Sequence, residues 1–345
     1  MPRTILMGDP TYFSVLGGAN PHTRNVLGIR KLVDAERARQ QWHQLARTLV
    51  AHGVEVCVIE AQQGISGLVY PANAGFLFPL AQADGGDKSS IAKRFYLANL
   101  LPSRADEREV YRPFIESMGY SPSDVQARFE GEADFFPAGR YMLFTYGVVQ
   151  RQRFVPRLGL PPWKRVYGFR SDRRALDELR SYVHGRPVLP LELRLEAHYH
   201  GDTVLCSFGP RREFLLAYLN GLTAASRERL SQEFGHNLIQ LSKHDAQIYA
   251  ANSFQSDNEG SWYLFMPEGV SDELLRAVRE RGVEPVLANA SEFLNKGGGS
   301  IKCMILDLGP RDEQPSDAAA AAFRAKRSYT HLFPVSGGDE HSADG

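Results

Sequence analysis

Cysteine is scarce in this chain, with three residues in 345, namely Cys57, Cys206 and Cys303. An odd number so small excludes a disulfide scaffold, and the absence of Cys-x-x-Cys spacing argues against a structural zinc site. An excess of either charge is also missing. Lys plus Arg and Asp plus Glu both number 40, for a formal net charge of zero. Nucleic-acid partners call for a basic excess, because neutralising phosphates supplies most of that affinity. A small-molecule ligand suits the balance better. No run approaches the ~18 consecutive apolar residues needed to span a bilayer, and MPRTILMGDP lacks the apolar core of a secretory signal. The chain is expected to be soluble and cytoplasmic, with no membrane or nucleic-acid partner. What it does have is core material: 43% hydrophobic and 10% aromatic residues.

A helix followed by a strand recurs along the sequence. Residues 34–52 place Trp42, Leu45, Leu49 and Val50 at helical spacing, and VEVCVI follows with the β-branched character of a buried strand. Residues 106–118, 171–183 and 271–281 repeat the helical pattern; PVLPLELRL and VEPVLA supply strands after the last two. Extra strands lie between, among them RYMLFTYG, DTVLCSF, REFLLAY and SWYLFM. The spacing predicts an α/β fold built from repeated ββαβ units over residues 1–309. Residues 148–167, rich in Arg, Pro and aromatics, read as a long inserted loop with the character of a lid. Residues 310–345 turn polar and alanine-rich and read as a mobile tail.

Three stretches carry candidate chemistry. In GGGSIKCMIL, glycines and Lys302 surround Cys303; close backbone approach and a neighbouring cation would favour a nucleophilic thiolate. The competing reading is a small core residue opening a strand, as expected for Cys57 in VEVCVI and Cys206 in TVLCSF. In AHYHGDTVLC, His198, His200 and Asp202 alternate, so an extended backbone would put them on one face. In FEGEADFFPAGR, Glu130, Glu132 and Asp134 would share a face if the strand were regular. A cationic guanidinium, a metal ion or plain solvent would each relieve that crowding.

Taken in order, these stretches resemble the motifs of the guanidino-group-modifying superfamily: arginine deiminases and dihydrolases, dimethylarginine dimethylaminohydrolases and amidinotransferases. YPANAGF is similar to its Phe-Thr-Ala-Asn-Ala-Gly segment, FEGEADFFPAG to its acid-Gly-x-Gly-Asp element and GFRSD to its Gly-x-Arg-Thr element. YHGDTVLC resembles its His-x-Asp strand, and SEFLNKGGGSIKC its glycine-rich approach to a nucleophilic cysteine. The resemblance runs to about Leu308. It implies a pseudo-fivefold, five-bladed α/β propeller (the pentein fold) with a central site.

The same resemblance implies roles. Cys303 would be the nucleophile, His200 the general acid/base and Glu130 its supporting carboxylate. Asn73 and Asp202 would contact the guanidinium, with Asp134 and Arg170 also at the substrate; Asn20 would line the site and Arg94 would hold a substrate carboxylate. The expected activity is hydrolysis of the guanidino group of arginine or an arginine-like compound through a covalent thiouronium adduct, with Asn73 tilting it toward the dihydrolase branch. Neither cofactor nor metal is implied, and a homo-oligomer is compatible. Transfer of the amidino group to an amine is the rival activity, and a non-catalytic guanidine-binding protein the third. Three departures bear on substrate choice: Ala133 where hydrolases have glycine, GGAN before Pro21, and the 148–167 insertion.

Overall fold

The computed structural model describes residues 2–15, 20–25, 29–78, 94–150, 153–157, 160–183 and 185–334, the side chains of 154–157 and 160–164 excepted. Strand β1 (Arg3–Gly8), helix α1 (Ala35–Ala51) and strand β2 (Glu55–Ile59) open the chain. Asp34 caps α1 by accepting from the Arg37 amide, and the helix buries Ala38, Trp42, Leu45, Ala46 and Leu49, the face read from its spacing.

The next unit is β3 (Gly75–Phe78), β4 (Arg94–Leu97), α2 (Glu107–Ser117) and β5 (Ser121–Asp124). It is followed by β6 (Phe135–Ala138) and β7 (Tyr141–Tyr146), then, past β8 (Arg153–Arg157) and β9 (Leu160–Val166), by α3 (Ala175–Tyr182) and β10 (Val188–Glu192). The fourth consists of β11 (Leu205–Phe208), β12 (Phe214–Ala217), α4 (Ala224–Phe234) and β13 (Leu238–Gln240). After the short helix α5 (Lys243–Gln247) come β14 (Phe254–Asn258), β15 (Ser261–Pro267), α6 (Asp272–Arg279) and β16 (Val283–Ala288). Strand β17 (Leu306–Pro310) returns to β1.

Among the described residues these make five three-stranded sheets with one pattern. A first strand lies antiparallel to a second, and a helix leads to a third strand parallel to the second. In the fifth sheet, β17 supplies the first strand and β1, α1 and β2 the rest, so the two ends of the chain share one sheet. The ββαβ units read from the sequence are therefore present. The sheets are covered on both sides, which explains why β3, β11 and most of β2 are buried throughout rather than alternating.

Two stretches carry more regular structure than their sequences suggest. Within 148–167, β8 and β9 pair antiparallel as a hairpin, because a run of Arg, aromatic and β-branched residues can satisfy its own backbone by pairing. Within 310–334, read as part of a tail, two helices pack against the rest of the chain. Asp317 caps α7 (Ala318–Arg327) by accepting from the Ala320 amide, and Arg324 donates to the carbonyls of Met118 and Pro315. Phe323 meets Phe114 edge-on, and Ser328, just before α8 (Tyr329–Leu332), bridges to Cys57. The alanines favour helix, and these contacts anchor it. Residues 335–345 of that tail, Gly17–Ala19 of GGAN, and 151–152 and 158–159 of the insertion lie outside the described residues.

No helix among the described residues is long and apolar enough to cross a membrane. None of their His, Cys, Asp and Glu side chains form a group of three or more that could hold a metal ion.

Candidate active site

A short turn precedes the first strand of every sheet, and these turns carry the polar residues. Pro71–Asn73 comes before β3, Gly131–Ala133 before β6, Gly201–Thr203 before β11 and Lys302–Met304 before β17, each a single 3₁₀ turn. Residues 249–252 occupy the same place before β14. A tight turn gives successive side chains different directions, which strand geometry would not. The three acids of FEGEAD therefore do not share a face. Glu130 meets His200, Glu132 accepts from Lys302 Nζ at 2.6 Å, and Asp134 accepts from Thr145 and Ser171 hydroxyls at 2.6 Å and from the Gly201 amide at 2.9 Å.

A cavity of about 180 Å³ opens over these turns. Cys303, His200, Glu130, Asn73, Asn20 and Arg170 all line it. Asp202 stands behind the sulfur, with Oδ2 3.4 Å from Cys303 Sγ. Asp134 spends its oxygens holding the turn before His200 and does not line the cavity. Arg94 is exposed at the start of β4 and stands outside the cavity wall; the guanidinium groups that line it are Arg104 and Arg170. His198 is also elsewhere, packed against Tyr218 and Tyr249.

His200 Nε2 lies 2.9 Å from Glu130 Oε2. Burial alone would raise the Glu130 carboxyl, but the hydrogen bond and charge of His200, helped by Arg104 and Arg170, hold it down at about 2. An ionised carboxylate only accepts, so Nε2 carries a proton and Nδ1, which has no partner among the described residues, is left for other chemistry. Asp202 is pushed up to about 6, chiefly by burial, against the attraction of His200 and Lys302. Its Oδ1 is buried without a partner among the described residues.

Cys303 is 3% exposed, and its thiol is raised well above the ordinary value, first by burial and then by the Asp202 charge. Lys302 does not relieve this; its ammonium points away to Glu132 and the Ile305 carbonyl. Burial and the Asp202 charge thus disfavour thiolate, where the basic neighbour had suggested the opposite. The glycines serve proximity. Gly298 sits at φ +81°, and a Cβ on Gly299 would fall 2.6 Å from the Tyr70 ring and 2.9 Å from Cys303 Cβ. Asn20 braces this segment, donating to the Gly297 carbonyl at 2.7 Å and to Tyr199 Oη at 3.2 Å.

A curated relative settles the lineage. Dimethylarginine dimethylaminohydrolase of Mycobacterium tuberculosis is 30% identical over 311 residues, covering 90% of this chain and 87% of that protein. The chain belongs to the guanidino-group-modifying superfamily. Solved members share its fold. The substrate-bound N-terminal domain of ArgZ, a cyanobacterial arginine dihydrolase, has a TM-score of 0.72 at 22% identity over 89% of this chain and 98% of that one. A dimethylarginine dimethylaminohydrolase carrying an S-methyl-L-thiocitrulline adduct has a TM-score of 0.64 at 17% identity, over 89% and 100%. No family model matches the chain.

Two residues of this superfamily member escaped the sequence reading. Asn252 accepts from the Ser300 and Cys303 amides at 3.0 and 3.1 Å and donates to Cys303 Sγ at 3.1 Å, a contact that favours thiolate. Its signal was positional, since it stands two residues before β14 as Asn73 stands two before β3. Arg104 lies in the cavity wall, with Nε and Nη2 on the Glu107 carboxylate at 2.6 and 2.7 Å and Nη1 on Asn73 Oδ1 at 3.0 Å. Nothing in LPSRADE marks it.

Proposed function

We propose that this protein is a cysteine-dependent hydrolase of the guanidino group of arginine or an arginine-like compound, its five sheets arranged as propeller blades around the site. The observation that carries the reading is that Cys303 and the His200–Glu130 pair line a single cavity, with Asp202 Oδ2 3.4 Å from the sulfur on its far side, in the wall of a smaller neighbouring cavity. A guanidinium spreads its charge and is a poor electrophile, so the site must hold it flat beside an anion. Asp202 is that anion. The arriving cation offsets the carboxylate that raises the Cys303 thiol, so substrate binding itself favours thiolate.

Cys303 Sγ then bonds to the guanidino carbon, and protonated His200 gives its proton to the departing amine through Nδ1. Neutral His200 next takes a proton from water, whose oxygen bonds to the same carbon as the C–S bond breaks. The thiolate leaves and a ureido product forms. With arginine the products of this first round are citrulline and ammonia. A second hydrolysis of the ureido carbon, toward which Asn73 tilts the reading, would yield ornithine.

Ala133 and the Phe135 region resemble the amidinotransferases and are the ground for the rival reading; Ala133 is fully buried in its turn and is not in the cavity wall, so it lends that reading little support. Incubation with arginine, and separately with methylated arginines, with and without glycine as an acceptor, tests the reading. Citrulline or ornithine with a released amine supports it. A new guanidino compound only when glycine is present replaces it with transfer, and turnover of no guanidine leaves a binding protein.

A further inference from the structure

His200 and Cys303 stand at the turns before β11 and β17, in different sheets and far apart in the chain. Hydrolysis needs a fixed separation between them, because the imidazole must reach the amine that leaves the carbon bound to sulfur. A misplacement of about 1 Å can cost on the order of 10²-fold in rate. Some contact between the two turns has to hold that separation.

Tyr199 spans them. It immediately precedes His200, lies buried in the cavity wall, and its hydroxyl donates to the Gly298 carbonyl at 2.8 Å. The same hydroxyl accepts from Asn20 Nδ2 at 3.2 Å, and Nδ2 also donates to the Gly297 carbonyl at 2.7 Å. Two successive carbonyls on the approach to Cys303 are thus held, one of them from the side that carries His200. The Tyr199 ring has its own supports: the Arg170 guanidinium carbon lies 4.8 Å from its centroid and the His200 ring 4.7 Å. Burial, and after it the charge of Cys303, push the phenol above its ordinary range, so the hydroxyl keeps its proton and donates. Alternation along AHYHGD makes Tyr199 the residue turned away from His198, His200 and Asp202. In the fold Tyr199 and His200 line the cavity together and His198 does not.

We infer that Tyr199 is a positioning residue: its hydroxyl ties the turn of His200 to the glycine segment before Cys303 and sets the distance between acid/base and nucleophile. The inference rests on the hydrolase reading for its kinetic consequence. Because the tie fixes two reacting groups relative to each other, it acts on kcat rather than on KM. Tyr70 supplies a comparison within the same segment. Its hydroxyl donates to the Phe293 carbonyl at 3.1 Å, earlier on the approach to Cys303, from a residue that adjoins no acid or base.

Tyr199→Phe keeps the ring and deletes the hydroxyl, leaving the buried Gly298 carbonyl without this donor. With arginine, kcat is expected to fall about 30-fold while KM stays within about threefold. Neutral iodoacetamide needs no proton from His200, so it should modify Cys303 within about twofold of the parent rate. Tyr70→Phe removes a comparable hydroxyl and should lower kcat by less than about threefold. Crystal structures of the parent and of Tyr199→Phe should show residues 297–303 displaced relative to His200. An unchanged kcat, a loss expressed through KM, an equal fall in iodoacetamide rate, or equal kcat losses for the two tyrosines would each overturn the inference. A parent protein that turns over no guanidine overturns the hydrolase reading instead. The crystal structures then decide the tie, and a segment 297–303 unmoved relative to His200 in Tyr199→Phe overturns it.

Discussion

Cys303 and Cys206 are both fully enclosed thiols near the middle of the molecule, and burial raises both, Cys206 to about 12. Asp202 bears on each of them. Their partners differ. Cys206 Sγ faces the Ser253 carbonyl at 3.5 Å and lines a second, 40 Å³ cavity with no histidine in its wall. Cys303 faces the larger cavity, with an Asn252 donor on its sulfur and His200 in the same wall. Lys302, which adjoins Cys303 in sequence, contributes its charge to lowering Cys206 instead. Reactivity here follows from what stands across space from the sulfur, not from who precedes it in the chain.

The largest test of this contrast is deletion of each sulfur nucleophile. Cys303→Ser is expected to reduce turnover on the order of 10⁴-fold or more, while Cys206→Ser and Cys57→Ser stay active. Labelling should agree: a haloacetamidine, cationic like the substrate, modifies Cys303 selectively as read by mass spectrometry. Label found mainly on Cys206 or Cys57 would reverse the assignment.

Next in size is Lys302→Met. It leaves Glu132 buried without its cation, so chemical denaturation should show a loss of ~3–5 kcal/mol. The rate at which iodoacetamide modifies folded Cys303 should hardly move. A marked slowing would mean that the basic neighbour does activate the thiol.

Asp202→Asn separates two roles of one carboxylate. Removing the charge lowers the Cys303 thiol, so neutral iodoacetamide should react faster at pH 8. Turnover should nonetheless fall roughly 10²-fold, because the guanidinium loses its anion. Parallel changes in both rates would contradict the assignment of Asp202 as the substrate's counter-ion.

The smallest effect concerns pH. Glu130 is held at about 2 in the folded protein against an ordinary 4.5, so it contributes stability above pH 4.5 that is lost as pH falls through about 2. The gap in stability between the parent and Glu130→Gln, of order 1–3 kcal/mol at neutral pH, should shrink across that window. Glu132, Asp202, Asp134 and Glu107 are shifted upward by burial and act with the opposite sign, so the difference between the two proteins is the quantity to follow.

Much of the architecture was legible because periodicity survives folding: α1 and α6 begin at their Asp34 and Ser271 caps, and VEPVLA forms β16. The cysteine, histidine and carboxylate of the site were legible as motifs. What the sequence hid was direction. FEGEAD reads as alternating acids until a 3₁₀ turn points them to three different partners, and Lys302 reads as an activator until its long side chain reaches Glu132. Arg94 was the cation read from the sequence, and only the packing of the second unit puts Arg104 in the cavity wall instead. The alanines of α7 read as tail because a solvent-facing helix with few large apolar residues looks like disorder until Arg324 and Phe323 find their sites.

The sheet that joins β17 to β1 has a consequence for synthesis. Arg3 and Asp307, 304 residues apart, form a two-pronged ion pair across that junction, and Cys303 lies three residues before the strand that closes it. During translation β1 has no antiparallel neighbour until β17 has been made. The sulfur reaches its place only when that last strand docks. A ribosome-bound chain stopped short of Leu306 therefore carries His200 and Glu130 but neither a thiol in place nor a finished sheet.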